Sequence, residues 1–491
     1  MFDMRKHFTH FIRIATPFLA VSLIAGCAAT NGLSTQSSLG GADNLAAAKS
    51  IAGVPVSPAA WPTSDWWKQF KDPQLDQLID EALVGSPTLK VAEARTRKAV
   101  AAANESRSAL YPHVDANLQM TRERFPENGL FPPPEAGSWG SFNQLQATLS
   151  WEIDLWGKNR AAYESALGEA RATEVDAYAA RLALSVAIAQ SYVDLQRAYL
   201  QLDVAEETLT EREQIYALTR DRNAAGIDSR LELKQAETAL PAARERIVQL
   251  QEAIQLSRNQ LAALLGQGPD RGLAIARPGA SVIAMLGLPS ALPAELLGRR
   301  PDLVAQRWRV EAASKDIDVA KAQFYPNIDL LAFAGFQSFG TAGFLSAASR
   351  MIGFGPAVSL PIFEGGRLRA NLAGRDADYD IAVERYNQTL ADAMRDVVDQ
   401  VASARSVDEQ RAQQRQALAT AQEAYDLALL RYREGLGNYL QVLSAESPLL
   451  DQRSLDADLR ARELSVAIGL VRALGGGFER STIAVAREES R

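Results

Sequence analysis

Leu110-Tyr111-Pro112-His113-Val114-Asp115 returns 214 residues later as Phe324-Tyr325-Pro326-Asn327-Ile328-Asp329. At the same spacing Ser86-Pro87-Thr88-Leu89 returns as Arg300-Pro301-Asp302-Leu303. Further on, Gly226 is matched by Gly435 and Ala236-Glu237 by Ala445-Glu446, now 209 residues apart, so the second copy is five residues shorter between these landmarks. Two constant spacings over so long a span mean a duplicated supersecondary unit whose copies pack on each other or on other copies. The chain divides into a first repeat, 61–280, and a second, 281–477.

Each repeat reads in the same order. Residues 89–110 are rich in Ala, Arg, Lys and Glu, with Pro87 at the start, and predict a helix. After Pro112 the period becomes two. Val114, Ala116, Leu118 and Met120 alternate with Asp115, Asn117, Gln119 and Thr121; Leu145, Ala147, Leu149 and Trp151 alternate with Gln144, Gln146, Thr148 and Ser150. Between them 125–140 contains Pro132-Pro133-Pro134 and reads as a loop. The second repeat predicts strands over 328–339 and 352–362. Placed in a membrane, these strands would turn Val114, Ala116, Leu118, Leu145, Leu149, Phe354 and Val358 to lipid and Asp115, Asn117, Gln144, Gln146 and Thr148 to water.

Residues 159–223 lack proline and are dominated by Ala, Leu, Glu, Arg and Gln. At ~1.5 Å per residue they predict a helix ~95 Å long. Ala225-Gly226 ends it, and a second helix is expected over 228–265, interrupted at Pro241. The second repeat predicts a helix over 367–434, a Gly435-Leu436-Gly437 turn, and a helix to Leu474 containing Pro448. Alanine-rich stripes suit close packing of the coiled-coil kind.

Residues 1–26 place Arg5, Lys6 and Arg13 before an apolar run from Ile14 to Ile24, too short to span a bilayer, and read as a signal peptide. The run ends at Ile24-Ala25-Gly26-Cys27, and Cys27 is the single cysteine. This string resembles the lipobox of bacterial lipoproteins. The resemblance implies cleavage before Cys27, a diacylglycerol on its thiol and an acyl chain on its new amino terminus. Ala28 stands where an aspartate usually retains lipoproteins at the inner membrane, which points to the outer one. Residues 27–60, mostly Ala, Gly, Ser, Thr and Asn, read as a lipidated flexible tether, and 478–491 as a flexible tail.

The net charge is −7 without a basic cluster, which excludes nucleic acid as a partner. Of three histidines, His7 and His10 leave with the signal peptide. His113 alone supports neither a nucleophile–histidine pair nor a histidine-rich zinc site. Leu474-Gly475-Gly476-Gly477 does not open a helix after a strand, as a phosphate loop must. No enzyme activity and no cofactor beyond the acyl chains on Cys27 are expected.

Four strands of about ten residues are long enough to cross the hydrocarbon core. An open sheet in lipid would leave unpaired N–H and C=O groups, and four strands are too few to close. Copies of the chain must pool strands; two copies give eight and three give twelve, and the pattern does not choose between them.

Four stretches carry a family resemblance: Trp66 to Pro73, the twin Tyr-Pro turns, Ile153-Asp154-Leu155-Trp156-Gly157-Lys158, and Leu360-Pro361-Ile362-Phe363-Glu364-Gly365-Gly366-Arg367. Over nearly all of 61–476 they resemble the TolC-like outer-membrane factors, and more closely the NodT-type lipoprotein branch. The resemblance implies an α+β membrane protein: a homotrimer with a twelve-strand transmembrane β-barrel, four strands per chain, continuous with a long periplasmic α-helical barrel. It also implies a passive, gated exit channel working with a periplasmic adaptor and an inner-membrane pump of the resistance–nodulation–division type. The competing reading is a non-channel periplasmic helical lipoprotein, an adaptor or scaffold; adaptors carry one long hairpin rather than two.

The family closes its tunnel near the hairpin turns, here Gly226 and Gly435. Tyr432 matches the family tyrosine that binds a neighbouring hairpin and holds the tip shut. The positions of the family's acidic ring are Gln441 and Ser444, which carry no charge; Glu232, the first-repeat equivalent of Gln441, is the candidate substitute.

Overall fold

In a computed structural model, residues 32–41, 49–50, 61–129, 132–279 and 297–479 are described. The expected signal peptide and Cys27 lie outside them, as do 42–48, 51–60 and 480–491.

Regular secondary structure opens on a 3-10 turn, Trp66–Phe70, then α1 (Pro73–Gly85) and α2 (Pro87–Ser108). Strands β1 (His113–Arg124) and β2 (Trp139–Glu152) lead into α3 (Lys158–Ala224) and α4 (Arg230–Leu264), followed by a short turn, α5 (Asp270–Leu273). The second repeat gives α6 (Pro301–Ala322), β3 (Asn327–Phe339), β4 (Arg350–Ser359), α7 (Arg367–Arg433) and α8 (Tyr439–Ala473). Helices α2 and α6 both open on a proline, whose missing N–H is among those a helix start leaves unpaired anyway. Helices α3 and α7 are each 67 residues and α4 and α8 each 35, so the duplication extends to element length.

Two sequence expectations are corrected. Pro241 does not interrupt its helix: α4 runs through it. Proline deletes one intrahelical bond and crowds the carbonyl four residues back; nearby, Arg212 of α3 donates to the Ala239 carbonyl (3.3 Å) and holds this stretch of α4. The fourth strand ends at Ser359 rather than 362. Pro361 has no N–H to offer a ladder and restricts Leu360.

The residues form two compact units, each drawing on both repeats. The first takes, of the described residues, 32–39, 95–173 and 306–386, and contains one antiparallel sheet in the order β1-β2-β3-β4. Asp154 closes the exit from β2, accepting from the N–H groups of Asn159 (3.0 Å) and Arg160 (2.8 Å) at the start of α3. Trp156 stacks on Tyr325 (4.7 Å) and donates to the Pro326 carbonyl (2.8 Å), so the family string after β2 packs on the second Tyr-Pro turn. Close approach of α3 and α6 places Gly168 where a Cβ would stand 3.0 Å from that of Ala312.

The second unit takes 40–94, 174–305 and 387–491. Trp66, Trp67, Phe70, Leu75, Leu78 and Ile79 fill its core with Ile188 and Leu195 of α3, Leu261 of α4 and Ile468 of α8. Asp72 caps α1 through the N–H groups of Gln74 and Leu75 and accepts the Tyr192 hydroxyl (2.8 Å). In the span read as a tail, Phe478 is buried against Tyr178 (5.5 Å).

Candidate functional site

Two sites were predicted, a sheet with one lipid-facing side and a pair of hairpin turns. In an antiparallel pair, residues directly opposite each other share a face. The register sets Val114 opposite Leu149, Leu149 opposite Ala332, and Ala332 opposite Phe354. Ala116, Ala147, Ala334 and Ile352 form the next rung, and Leu118, Leu145 and Phe336 the one beyond. Val358 pairs with Ile328 on the same face. All seven residues read as lipid-facing therefore lie on one side, and Phe354, Ile352, Val358, Val114 and Leu118 are exposed in the single chain.

Asp115, Thr148, Asn117, Gln146 and Gln144 share the other side, where Gln146 donates to Thr148 (3.1 Å) in a polar ladder. That side also bears Leu331 and Phe333, which the sequence reading did not single out. Phe333 lies over Gly353, where a Cβ would come within 2.5 Å of the ring. Strands β1 and β4 each keep an open edge.

In the second unit the two hairpin turns are built alike. Gly226 (φ +72°) and Gly435 (φ +75°) take the left-handed conformation that ends a helix at little strain only in glycine. Ile227 N–H reaches the Arg222 carbonyl (2.9 Å), and its counterpart Leu436 N–H reaches that of Arg431 (2.8 Å). The helices that follow are capped by Ser229 and Asn438. Glu232 completes a capping box, its carboxylate taking the Ser229 N–H (2.8 Å) and hydroxyl, which holds its pKa below the usual carboxylate range. Gln441 N–H donates to Asn438 (3.1 Å), and Ser444 donates to the Leu440 carbonyl (2.8 Å). The Glu232 and Ser444 side chains thus each bond within their own helix, whereas Gln441 does so through its backbone N–H.

Tyr432 is wholly buried and joins the two hairpins. Its hydroxyl donates to Asp228 Oδ2 (2.6 Å) and lies 2.8 Å from Thr219 Oγ1, both in the first repeat. Arg222 grips Asp228 from Nε (2.9 Å) and Nη2 (3.2 Å), donates from Nη1 to the Tyr432 carbonyl (2.8 Å), and lies 4.5 Å over the ring. The Arg222–Asp228 pair is shielded, its side chains 10% and 6% exposed. Burial would lift the Asp228 pKa, but the bonds from Arg222 and Tyr432 outweigh it and hold the carboxyl below its ordinary range. Burial, reinforced by the Asp228 bond, pushes the Tyr432 phenol up to about 12. The sequence reading singled out Tyr432 but not Asp228, Arg222 or Thr219, which the structure brings against it. A signal existed: Asp228 aligns with Gly437 and Asn223 with Tyr432, so the otherwise matched turns differ where the hairpins meet.

Among the described residues, no helix is long and apolar enough to cross a membrane, and no group of three or more His, Cys, Asp or Glu is placed to hold a metal.

The family model described as Outer membrane efflux protein matches residues 78–267 and 292–476. Fusaric acid resistance protein FusA of Burkholderia cepacia is 46% identical over 370 residues, 74% of this chain and 69% of that protein. Multidrug resistance outer membrane protein MdtP of Escherichia coli is 33% identical over 435 residues, 87% of this chain and 89% of that one. The crystal structure of the outer membrane protein VceC from Vibrio cholerae superimposes with a TM-score of 0.79 at 36% identity, covering 85% of this chain and all of VceC.

Proposed function

We propose, for a chain that belongs to the outer membrane efflux protein family, that it is the outer-membrane exit channel of a tripartite pump, working as a homotrimer anchored through acyl chains on Cys27. The observation that carries this is the sheet, a four-strand ribbon with one continuous apolar face and two open edges. In lipid such a ribbon is stable only when its edges pair, and three copies supply twelve strands. The apolar face then meets lipid and the Gln144–Gln146–Thr148 ladder lines water. The scaffold alternative gives no reason for this sheet.

Ile227 and Leu231 of one hairpin and Leu436 and Leu440 of the other occupy equivalent positions and are all exposed. Repeated apolar positions on both turns suit docking of a periplasmic adaptor, which would connect the channel to an inner-membrane pump of the resistance–nodulation–division type. The Tyr432–Asp228–Arg222–Thr219 cluster is the latch that holds the hairpin ends closed, with Gly226 and Gly435 at the turns. Gln441 and Ser444 carry no charge, so Glu232, which also caps its own helix start, is the residue we assign to an acidic ring at these turns. The relatives' names speak of fusaric acid and of multiple drugs, so the cargo we assign is small organic toxins.

The test is fractionation. Outer membranes should yield a species that runs as a trimer in mild detergent and as a monomer after boiling. Mass spectrometry of its first residue should show a triacylated Cys27, and Cys27→Ser should abolish that mass. A monomer in the soluble fraction would overturn the channel reading; an unmodified Cys27 in a membrane trimer would overturn the anchor alone.

A further inference from the structure

Residues 32–41 begin five residues after Cys27 and form neither helix nor strand, yet they are fastened at three levels along α7. Leu33 packs into the cluster formed by Ile317, Ala320 and Phe324 with Leu368 and Leu372. Two turns further down α7 the Asp380 carboxylate receives consecutive backbone N–H groups: Oδ1 accepts from Gln36 (2.9 Å) and Ser37 (2.8 Å), and Oδ2 from Gln36 (3.1 Å). Another two turns down, Gly40 N–H donates to Asn387 Oδ1 (2.7 Å). A Cβ on Gly40 would stand 3.0 Å from that oxygen, so glycine permits the approach.

The spacing shows how the segment runs. From Asp380 to Asn387 the helix rises about 10 Å. The four residues from Gln36 to Gly40 reach about 14 Å at most, so the strap lies nearly extended and parallel to α7. Backbone N–H groups outside regular structure need acceptors, and here they take side chains of α7 in place of water. Recognition therefore resides in Asp380 and Asn387, while the strap itself needs little beyond Leu33 and Gly40.

We propose that residues 33–40 are a docking strap, and that Asp380 and Asn387 are positioning residues that fix where the acyl chains of Cys27 enter the membrane. This rests on the anchor reading above for its consequence, but not for the docking itself. Six residues join Cys27 to Leu33 and reach about 20 Å at most. Leu33 sits beside the first two turns of α7, just after β4 ends. The acylated cysteine is thereby confined near the base of the sheet. A chain first pinned at Trp61 would leave 34 residues free, with a coil reach of roughly 30 Å and a full extension of about 110 Å.

Hydrogen–deuterium exchange on the full-length lipidated trimer tests the docking. The peptide spanning 33–41 should be protected, and Asp380→Ala/Asn387→Ala should accelerate its exchange about tenfold or more. Leu33→Asp, which leaves α7 untouched, should do the same and guards against a helix defect in the double variant. Spin labels at Ser34→Cys and Ala377→Cys read position: a narrow distance distribution is expected with the strap seated and a broad one in the double variant. Free-peptide exchange in the unsubstituted trimer, protection that survives both variants, or a distance distribution the double variant does not change would each overturn the proposal. Protection that persists in Cys27→Ser supports it, whereas an unmodified Cys27 in the parent protein would sink the anchor and leave the strap standing.

Discussion

Replacing Tyr432 with phenylalanine removes one hydroxyl from the latch and little else. The ring stays buried, Arg222 keeps its place 4.5 Å over it, and the Arg222 bond to the Tyr432 carbonyl is a backbone contact that survives. What is lost is the donation to Asp228 and the contact with Thr219. Neither partner is orphaned. Asp228 retains two bonds from Arg222, and Thr219 retains the Ile215 carbonyl (2.9 Å), which already competes for its single hydrogen. The loss is therefore the net value of a hydrogen bond to a charged acceptor, roughly 1.5–3 kcal/mol, rather than a full desolvation penalty. That weakens the closed hairpin contact roughly ten- to a hundredfold in each protomer. In planar bilayers, Tyr432→Phe trimers should open more often or conduct more than the parent. Asp228→Asn keeps an acceptor but loses its charge against Arg222, so it should act in the same direction. Because the residues share one cluster, the double variant should fall short of the sum. Parent-like conductance and open probability in Tyr432→Phe, with trimers intact, would refute the latch.

The remaining predictions concern the sheet and the turn. Leu145, at the middle of β2 between Leu118 and Phe336, is the lipid-facing position to test. Leu145→Arg should destabilise the trimer by about 2–4 kcal/mol, and Gln146→Arg by far less, read from thermal dissociation to monomer. Leu149 lies three residues from the strand end, so its arginine variant should fall between them; equal tolerance at 145 and 146 would invert or abolish the face assignment. Glu232→Gln preserves a capping box, so it removes the carboxylate alone and should weaken cation selectivity. An unchanged reversal potential in that variant would remove Glu232 from an acidic ring.

Most of the fold was legible because it is written in periods and punctuation. The alternation after each Tyr-Pro became β1 to β4 in the predicted register face, and Gly226 and Gly435 ended the long helices where a left-handed residue was needed. Pro241 misled because helix breaking is a local tendency, and packing between 35- and 67-residue helices outweighs the loss of one bond. Residues 32–41 read as tether because their composition is bland. Their docking is specified 344 residues away, by an aspartate that looks like any other helix charge. The cluster around Tyr432 was half legible for a related reason. Tyr432 carried a family signature, whereas Arg222 and Asp228 acquire meaning only when two distant turns meet.

The duplication itself makes that last contact informative. Two identical hairpins would present the same chemistry to either neighbour around a ring, and nothing would specify which contact forms. In this chain the turn geometry is kept in both copies, down to matching bonds at Arg222 and Arg431, while the side chains diverge. Asn223 faces the alignment with Tyr432, and Asp228 with Gly437. The first hairpin therefore carries the acceptor and its arginine, and the second carries the donor. Such a pairing joins unlike partners and has a direction. In a trimer it distinguishes the contact inside a protomer from the contact between protomers, so the six hairpin junctions divide into three latched and three of another kind. If the proposed latch holds, opening would have a defined seam, and its latched half would run through the Tyr432–Asp228 bond.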